Sequence, residues 1–169
     1  MWVPGKSPVV DLDKFAPEKK LYKPAMSSGA VLIVDDDNDV RSALAELLEE
    51  EGFSVEGAPN GREALALLRG GTVHPAVILL DLMMPGMDGW DFRHEQMRDP
   101  KLAAVPVVIV SASGFSRESI RTQFRPAAYV EKPIERTALL EVIRELIRSR
   151  PPGQLDAADG TGEAKSDRT

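Results

Sequence analysis

Apolar and polar positions alternate between two rhythms from residue 29 to residue 149 of this chain. "AVLIVDDD" (30–37) is a short, wholly apolar run ending in acid, as expected of a strand buried on both faces. "DVRSALAELLEEEG" (39–52) follows, with apolar residues at 40, 43, 44, 47 and 48, a helical stripe closed by Gly52. Asp39 is expected to cap it. "FSVEGA" (53–58) is a brief second strand. Asn60 then opens the helix "GREALALL" (61–68), and with Glu63 three residues on it makes a capping box in which Asn plays the Ser/Thr part. Gly70 and Gly71 end that helix.

The alternation continues with "AVILLD" (76–81) as strand three and "GWDFRHEQMR" (89–98) as a third helix. "VPVVIVSA" (105–112) is strand four, and "SRESIRTQF" (116–124) a weak fourth helix that Pro126 cuts short. "AAYVEK" (127–132) is strand five, and Pro133 introduces the fifth helix, "IERTALLEVIRELIRS" (134–149). Five β–α units in alternation predict an α/β fold: a doubly wound parallel sheet of five strands with helices on both faces.

Charge marks the limits of that unit. Residues 1–28 carry five Lys against two Asp and one Glu, with Pro at 4, 8, 17 and 24 and no periodicity. Residues 29–149 carry 13 basic and 20 acidic side chains, a balance of −7. Residues 150–169 are small, polar and rich in Gly and Pro. The expected organisation is a domain over 29–149 between two disordered or loosely attached tails. Residues 150–169 are too few to hold a DNA-binding or enzymatic output domain.

The chain has no cysteine, which excludes a disulfide framework and thiolate metal sites. It has neither a run of about 18 apolar residues nor a signal-peptide h-region, so a cytoplasmic protein without membrane contact is expected. A net charge of −6 argues against direct nucleic-acid binding.

The chemistry collects at one rim. Ligand and catalytic sites of open α/β sheets lie beyond the carboxyl ends of the strands. There strand one delivers Asp35 and Asp36, strand three Asp81, strand four Ser111 and strand five Lys132. Clustered carboxylates repel, and a hard divalent cation such as Mg²⁺ resolves the conflict. A carboxylate is also a nucleophile toward phosphorus, and phosphoryl transfer needs positive charge on the equatorial oxygens. Mg²⁺ and Lys132 would bring that charge, with a hydrogen bond from Ser111. Of the 13 basic residues in the domain only Lys101 and Lys132 are lysine, consistent with a compact point charge being wanted at that strand end.

The blocks "VLIVDDDNDVR", "GREAL", "ILLDLMMPGMDG", "VPVVIVSA" and "YVEKP", in this order, resemble the receiver domain of two-component response regulators. The resemblance covers about 29–149 and implies a flavodoxin-like sheet in the order 2-1-3-4-5. By motif it makes Asp35 and Asp36 the acidic pair and Asp81 the phosphoacceptor. Ser111 becomes the hydroxyl switch, Lys132 the family's lysine, and the Met83 carbonyl a further ligand to Mg²⁺. Tyr129 matches an aromatic that turns inward on activation, and a cis bond is implied at Lys132–Pro133. Met83 and Ser113 stand where the family tunes the lifetime of its phosphoryl group. The implied partners are a sensor histidine kinase or phosphotransfer protein upstream and an unnamed protein target downstream.

The chain departs from the family near strand five. The stretch from Ser111 to Lys132 is slightly short, and "FRPAAYV" stands where a Gly-Ala pair is usual. An unphosphorylated interaction module is a competing reading, opposed by the complete Asp35, Asp36, Asp81, Ser111 and Lys132 set. An Asp-nucleophile phosphatase is another, opposed by Met83, because such enzymes carry a second Asp two residues after the first. His74 and His94 show no ligand spacing and are expected at the surface. Arg117, Arg121 and Arg125, four residues apart, are expected to line one helix face as a docking stripe for an acidic partner.

Overall fold

The computed structural model describes residues 29–112 and 114–150. Most of the two expected tails (1–28 and 151–169) and Ser113 lie outside the described residues. Strand β1 (Ala30–Val34) is flanked by β2 (Val55–Ala58) and β3 (Pro75–Leu80). Strands β4 (Val107–Ser111) and β5 (Ala128–Glu131) follow beyond β3. The sheet order is β2-β1-β3-β4-β5 and every pairing is parallel, as the alternation and the resemblance predicted.

The side-chain period of two sorts the sheet into two cores. Val31, Ile33, Val77, Leu79, Val108 and Val110 pack on one face against α1 (Asn38–Glu50) and α6 (Arg136–Arg148). Leu32, Val34, Ile78, Leu80, Val107 and Ile109 pack on the other. That face is covered by α2 (Gly61–Arg69), α3 (Gly89–Arg98) and α5 (Arg117–Phe124). All of Val31–Val34 and Pro75–Leu80 are buried, which explains why these strands read as unbroken apolar runs.

One short helix, α4 (Pro100–Ala103), was not foreseen. Asp99 caps it by accepting from the Lys101 N–H at 3.0 Å, and Pro100 stands in its first turn. Four residues are too few to show a helical hydrophobic stripe.

Helix α1 begins earlier than expected and corrects the role given to Asp39. Its cap is Asp37, whose extended backbone lets the carboxylate accept from the Asp39 N–H at 2.9 Å and the Val40 N–H at 3.2 Å. Asp39 lies in the first turn, where its charge complements the helix dipole. Asn60 caps α2 as expected, accepting from the Glu63 N–H at 2.9 Å while its amide donates to Glu63 Oε1 at 3.0 Å.

Helix α5 supplies a second correction. It ends at Phe124, and Arg125 adopts a left-handed backbone (φ 44°, ψ 54°). Pro126 disfavours α geometry at the residue before it, so Arg125 cannot continue the helix. It therefore does not extend a helical face begun by Arg117 and Arg121. His74 and His94 are exposed, and the Lys132–Pro133 bond is cis.

Candidate functional site

Register aligns the acids. Val34 pairs with Leu80, so the residues that follow them, Asp35 and Asp81, leave neighbouring strands at the same level. Ser111 ends β4 opposite Glu131, and the backbone N–H of Lys132 donates to the Ser111 carbonyl at 2.9 Å. The sheet thus gathers Asp35, Asp81, Ser111 and Lys132 at one rim. Asp36 joins them: one carboxylate oxygen from each of Asp35, Asp36 and Asp81 lies within 4.8 Å of the others.

The three acids differ in setting. Asp35 is 2% exposed, and both its oxygens are occupied. Oδ1 accepts from the Asp37 N–H at 2.9 Å, and Oδ2 accepts from Lys132 Nζ at 3.0 Å. Arg41 secures the same turn by donating to the Asp35 carbonyl at 2.7 Å. Asp36 is exposed.

Asp81 is 7% exposed and more weakly held. Its Oδ2 lies 4.0 Å from Lys132 Nζ, its Oδ1 accepts a long 3.4 Å bond from the Met83 N–H, and the Leu82 backbone N–H also favours the charged form. Burial pushes its carboxyl above the ordinary aspartate value; Lys132 opposes that shift and the neighbouring Asp35 charge adds to it. Asp81 is thus a buried carboxylate whose negative charge lacks full compensation.

Ser111 shows the complementary deficit. It is fully buried, and its Oγ is the one buried side-chain polar atom without a hydrogen-bond partner among the described residues. Burying a hydroxyl unpaired costs roughly 1–3 kcal/mol. The orphaned Ser111 donor fits a ligand carrying an acceptor oxygen, and the under-compensated acid beside it fits a cation. The all-oxygen donor set of three carboxylates likewise fits a hard divalent cation.

The loop after Asp81 is kept close by two glycines. Gly86 takes a positive φ of 79°, which a side chain would strain. Gly89 opens α3 against the end of β3, where an added Cβ would run into the Asp81 carbonyl oxygen and the Leu82 Cα. Met83, in this loop, is 65% exposed and points no bulk into the core.

Tyr129 is half-buried beside the core formed with α2, α3 and α5, with the Arg117 guanidinium carbon 5.7 Å from its ring centroid. Arg117 also reaches Glu131 at 3.7 Å, and Arg121 pairs with Glu118 at 3.1 Å. Two of the three arginines of the expected stripe therefore already face a carboxylate, although each remains largely exposed.

One pair near this region was not anticipated. Arg93 and Gln96 on α3 are buried, and the Arg93 Nε donates to the Phe124 carbonyl at 2.9 Å while its Nη2 donates to the Arg125 carbonyl at 3.1 Å. Their spacing carried a signal. Arg93 lies four residues after Gly89 and Gln96 four after Phe92, on the buried face.

Comparison with known proteins places this geometry. The response regulator receiver domain family matches residues 31–144. Protein PilH of Pseudomonas aeruginosa is 31% identical over 118 residues, which is 69% of this chain and 96% of that protein. A CheY-like response regulator receiver domain protein of Methanospirillum hungatei superposes with a TM-score of 0.61 at 32% identity, covering 73% of this chain and 99% of the other. The receiver domain of a signal transduction histidine kinase of Syntrophus aciditrophicus gives a TM-score of 0.64 at 26% identity, over 83% and 98% of the two chains.

Proposed function

The chain belongs to the response regulator receiver family, and on that premise we propose that Asp81 accepts a phosphoryl group from the phosphohistidine of a sensor kinase or phosphotransfer protein. A carboxylate oxygen of Asp81 attacks phosphorus, an acyl-phosphate P–O bond forms, and the P–N bond to imidazole breaks with its electron pair left on nitrogen. The observation that carries this reading is the state of Asp81. It is buried, its ionised form is under-compensated, and Lys132 bonds to Asp35 instead of to it.

Asp35, Asp36 and Asp81, with the Met83 carbonyl, would hold Mg²⁺, which supplies positive charge to the oxygens of the transferring group. The remaining work falls to the chain. Lys132, 4.0 Å from Asp81, is within a small side-chain movement of a phosphoryl oxygen there. Ser111 has a hydroxyl free to donate to another, and doing so would satisfy its only unmet polar atom. A displacement of Ser111 would reach the adjoining surface through β5, where Glu131 pairs with it and Tyr129, two residues earlier, pairs with Ile109.

That surface is the output of the domain. Receivers are signalling modules, and this one is proposed to act in the cytoplasm by presenting a changed face to a protein target. Among the described residues no helix is long and apolar enough to cross a membrane. Arg117 and Arg121 on α5, with Arg125 just past its end, would offer positive charge to an acidic partner once the carboxylates now paired with Arg117 and Arg121 are exchanged. The reading is tested with a phosphotransfer protein radiolabelled on histidine. Mixed with this chain and Mg²⁺, the donor should lose its label to this chain, and label that stays on the donor would reject the proposal.

A further inference from the structure

Helix α5 is held very differently at its two ends. Ser116 caps the start through a long 3.4 Å bond to the Ser119 N–H, and all of residues 116–118 are exposed. The far end is pinned from α3. There the Arg93 guanidinium spans two successive carbonyls, Phe124 and Arg125, and donates with Nη1 to Gln96 Oε1. Gln96 in turn donates to the Leu102 carbonyl at 2.8 Å and the Val105 carbonyl at 3.1 Å, which extends the network to the α4–β4 connection. Trp90, one turn before Arg93, packs on Phe124 with the rings tilted 47° and their centroids 3.7 Å apart.

Three features make this more than a buried polar pair. Arg93 is 8% exposed, yet among the described residues no carboxylate pairs with it; its partners are carbonyl oxygens and one amide. Arg125 is the only non-glycine residue with positive φ among those described, a conformation that glycine adopts without strain. The carbonyl of that strained residue is one of the two that Arg93 holds. A planar fork with several donors can bridge these oxygens at once, which the point charge of lysine cannot.

We propose that Arg93 is a positioning residue: it clamps the C-terminal end of α5 to α3, sustains the left-handed backbone at Arg125, and makes that end the fixed pivot about which α5 responds to the site. The pivot rests on the proposed phosphorylation of Asp81, whereas the clamp does not. With the far end fixed, a displacement originating at Ser111 is taken up at the weakly capped start of the helix. The α5–β5 corner, and the pairing of the Ala127 N–H with the Val107 carbonyl at 2.8 Å, stay in place.

Amide hydrogen exchange on the full chain tests both parts. Without phosphodonor, Arg93→Met should speed exchange at the Arg125 and Ala127 N–H groups at least tenfold. Arg93→Lys should fall between the two, and adding Arg125→Gly to Arg93→Met should recover most of the protection. A structural role unrelated to Arg125 would not produce that recovery. Unchanged exchange in Arg93→Met and Arg93→Lys, or no recovery by Arg125→Gly, would overturn the clamp. With acetyl phosphate and Mg²⁺, the wild type should change exchange at residues 116–120 and leave 124–127 unaltered, while Arg93→Met should change both. Equal changes at the two ends in the wild type would overturn the pivot. If the wild type shows no change anywhere in α5, the pivot fails; the intact mass of the same sample shows whether the phosphorylation reading fails with it, and the unphosphorylated comparison still decides the clamp.

Discussion

The Lys132 ammonium bonds to Asp35 at 3.0 Å and stands 4.0 Å from Asp81, so the cation of the site is engaged by the acid that is not the proposed nucleophile. The pairing has a clear physical basis. Asp35 is almost fully buried and needs a counter-charge, and Lys132 is the basic side chain that reaches it. Transfer of a phosphoryl group to Asp81 would replace the distant Asp81 carboxylate with a phosphoryl anion as the second partner of Lys132 at the same rim.

Removing that cation should be felt even in the resting protein. Lys132→Met leaves Asp35 buried with a single backbone N–H as donor, and losing one partner of a buried, hydrogen-bonded pair costs about 1–3 kcal/mol once the partial exposure of Lys132 is allowed for. Urea unfolding should show the midpoint fall by a corresponding amount at neutral pH. A midpoint equal to that of the wild type would mean that the bond contributes nothing.

The carboxylate cluster makes the opposite prediction for Asp36. Its side chain is exposed and adds to local repulsion, so Asp36→Ala should leave the metal-free melting temperature equal or higher. The same change should weaken Mg²⁺ binding at least tenfold, on the order of 1.4 kcal/mol. Calorimetric titration with Mg²⁺ measures the affinity, and a marked fall in metal-free stability would contradict this assignment.

Asp81 should betray its burial through pH. Its carboxyl holds a proton to higher pH in the folded chain than in the unfolded one, chiefly because burial disfavours the charged form. Between the unfolded value, about 3.9, and the raised folded value, folding takes up a proton, so this group lowers stability as pH rises through that window. Asp81→Asn should therefore be more stable than the wild type above the window, with the advantage shrinking as pH falls below it. Denaturant midpoints of both proteins across pH 4–8 decide the point. A constant difference would remove the linkage.

The surface of α5 supplies a prediction about output. Arg121 is exposed and paired only with Glu118, so Arg121→Glu should shift stability by no more than about 0.5 kcal/mol and leave phosphorylation of Asp81 intact. Capture of an acidic partner by the phosphorylated chain should weaken, and the loss should be greatest at low salt, where charge steering is strongest. Equal capture by the variant and the wild type would return this arginine to ordinary solvated surface.

Much of the fold was legible because both faces of the sheet are covered. Buried parallel strands write themselves as apolar runs, and the acids that end them stand out against that background. The site was legible for the same reason, since strand order and parallel direction bring Asp35, Asp81, Ser111 and Lys132 to one edge. The misses are local or tertiary. Asp37 and Asp39 are both good caps, and only the backbone geometry at Asp37 separates them. Helix α4 is too short for a period, and its signal was the cap and proline of "DP". Arg125 leaves the helix because of Pro126, and the arginine stripe breaks with it. Arg93 is a charged residue beside exposed His94, although its spacing of four from Gly89 places it inward. Its carbonyl partners lie more than thirty residues away, and no local pattern announces them.

The central claim is that Asp81 receives the phosphoryl group, and intact-mass spectrometry tests it most directly. Incubated with acetyl phosphate and Mg²⁺, the wild type should gain the mass of one phosphoryl group, lose it on mild hydrolysis, and gain far less when Mg²⁺ is chelated. Asp81→Asn, folded by the same unfolding assay, should gain none. The same mass gain in Asp81→Asn would contradict the account.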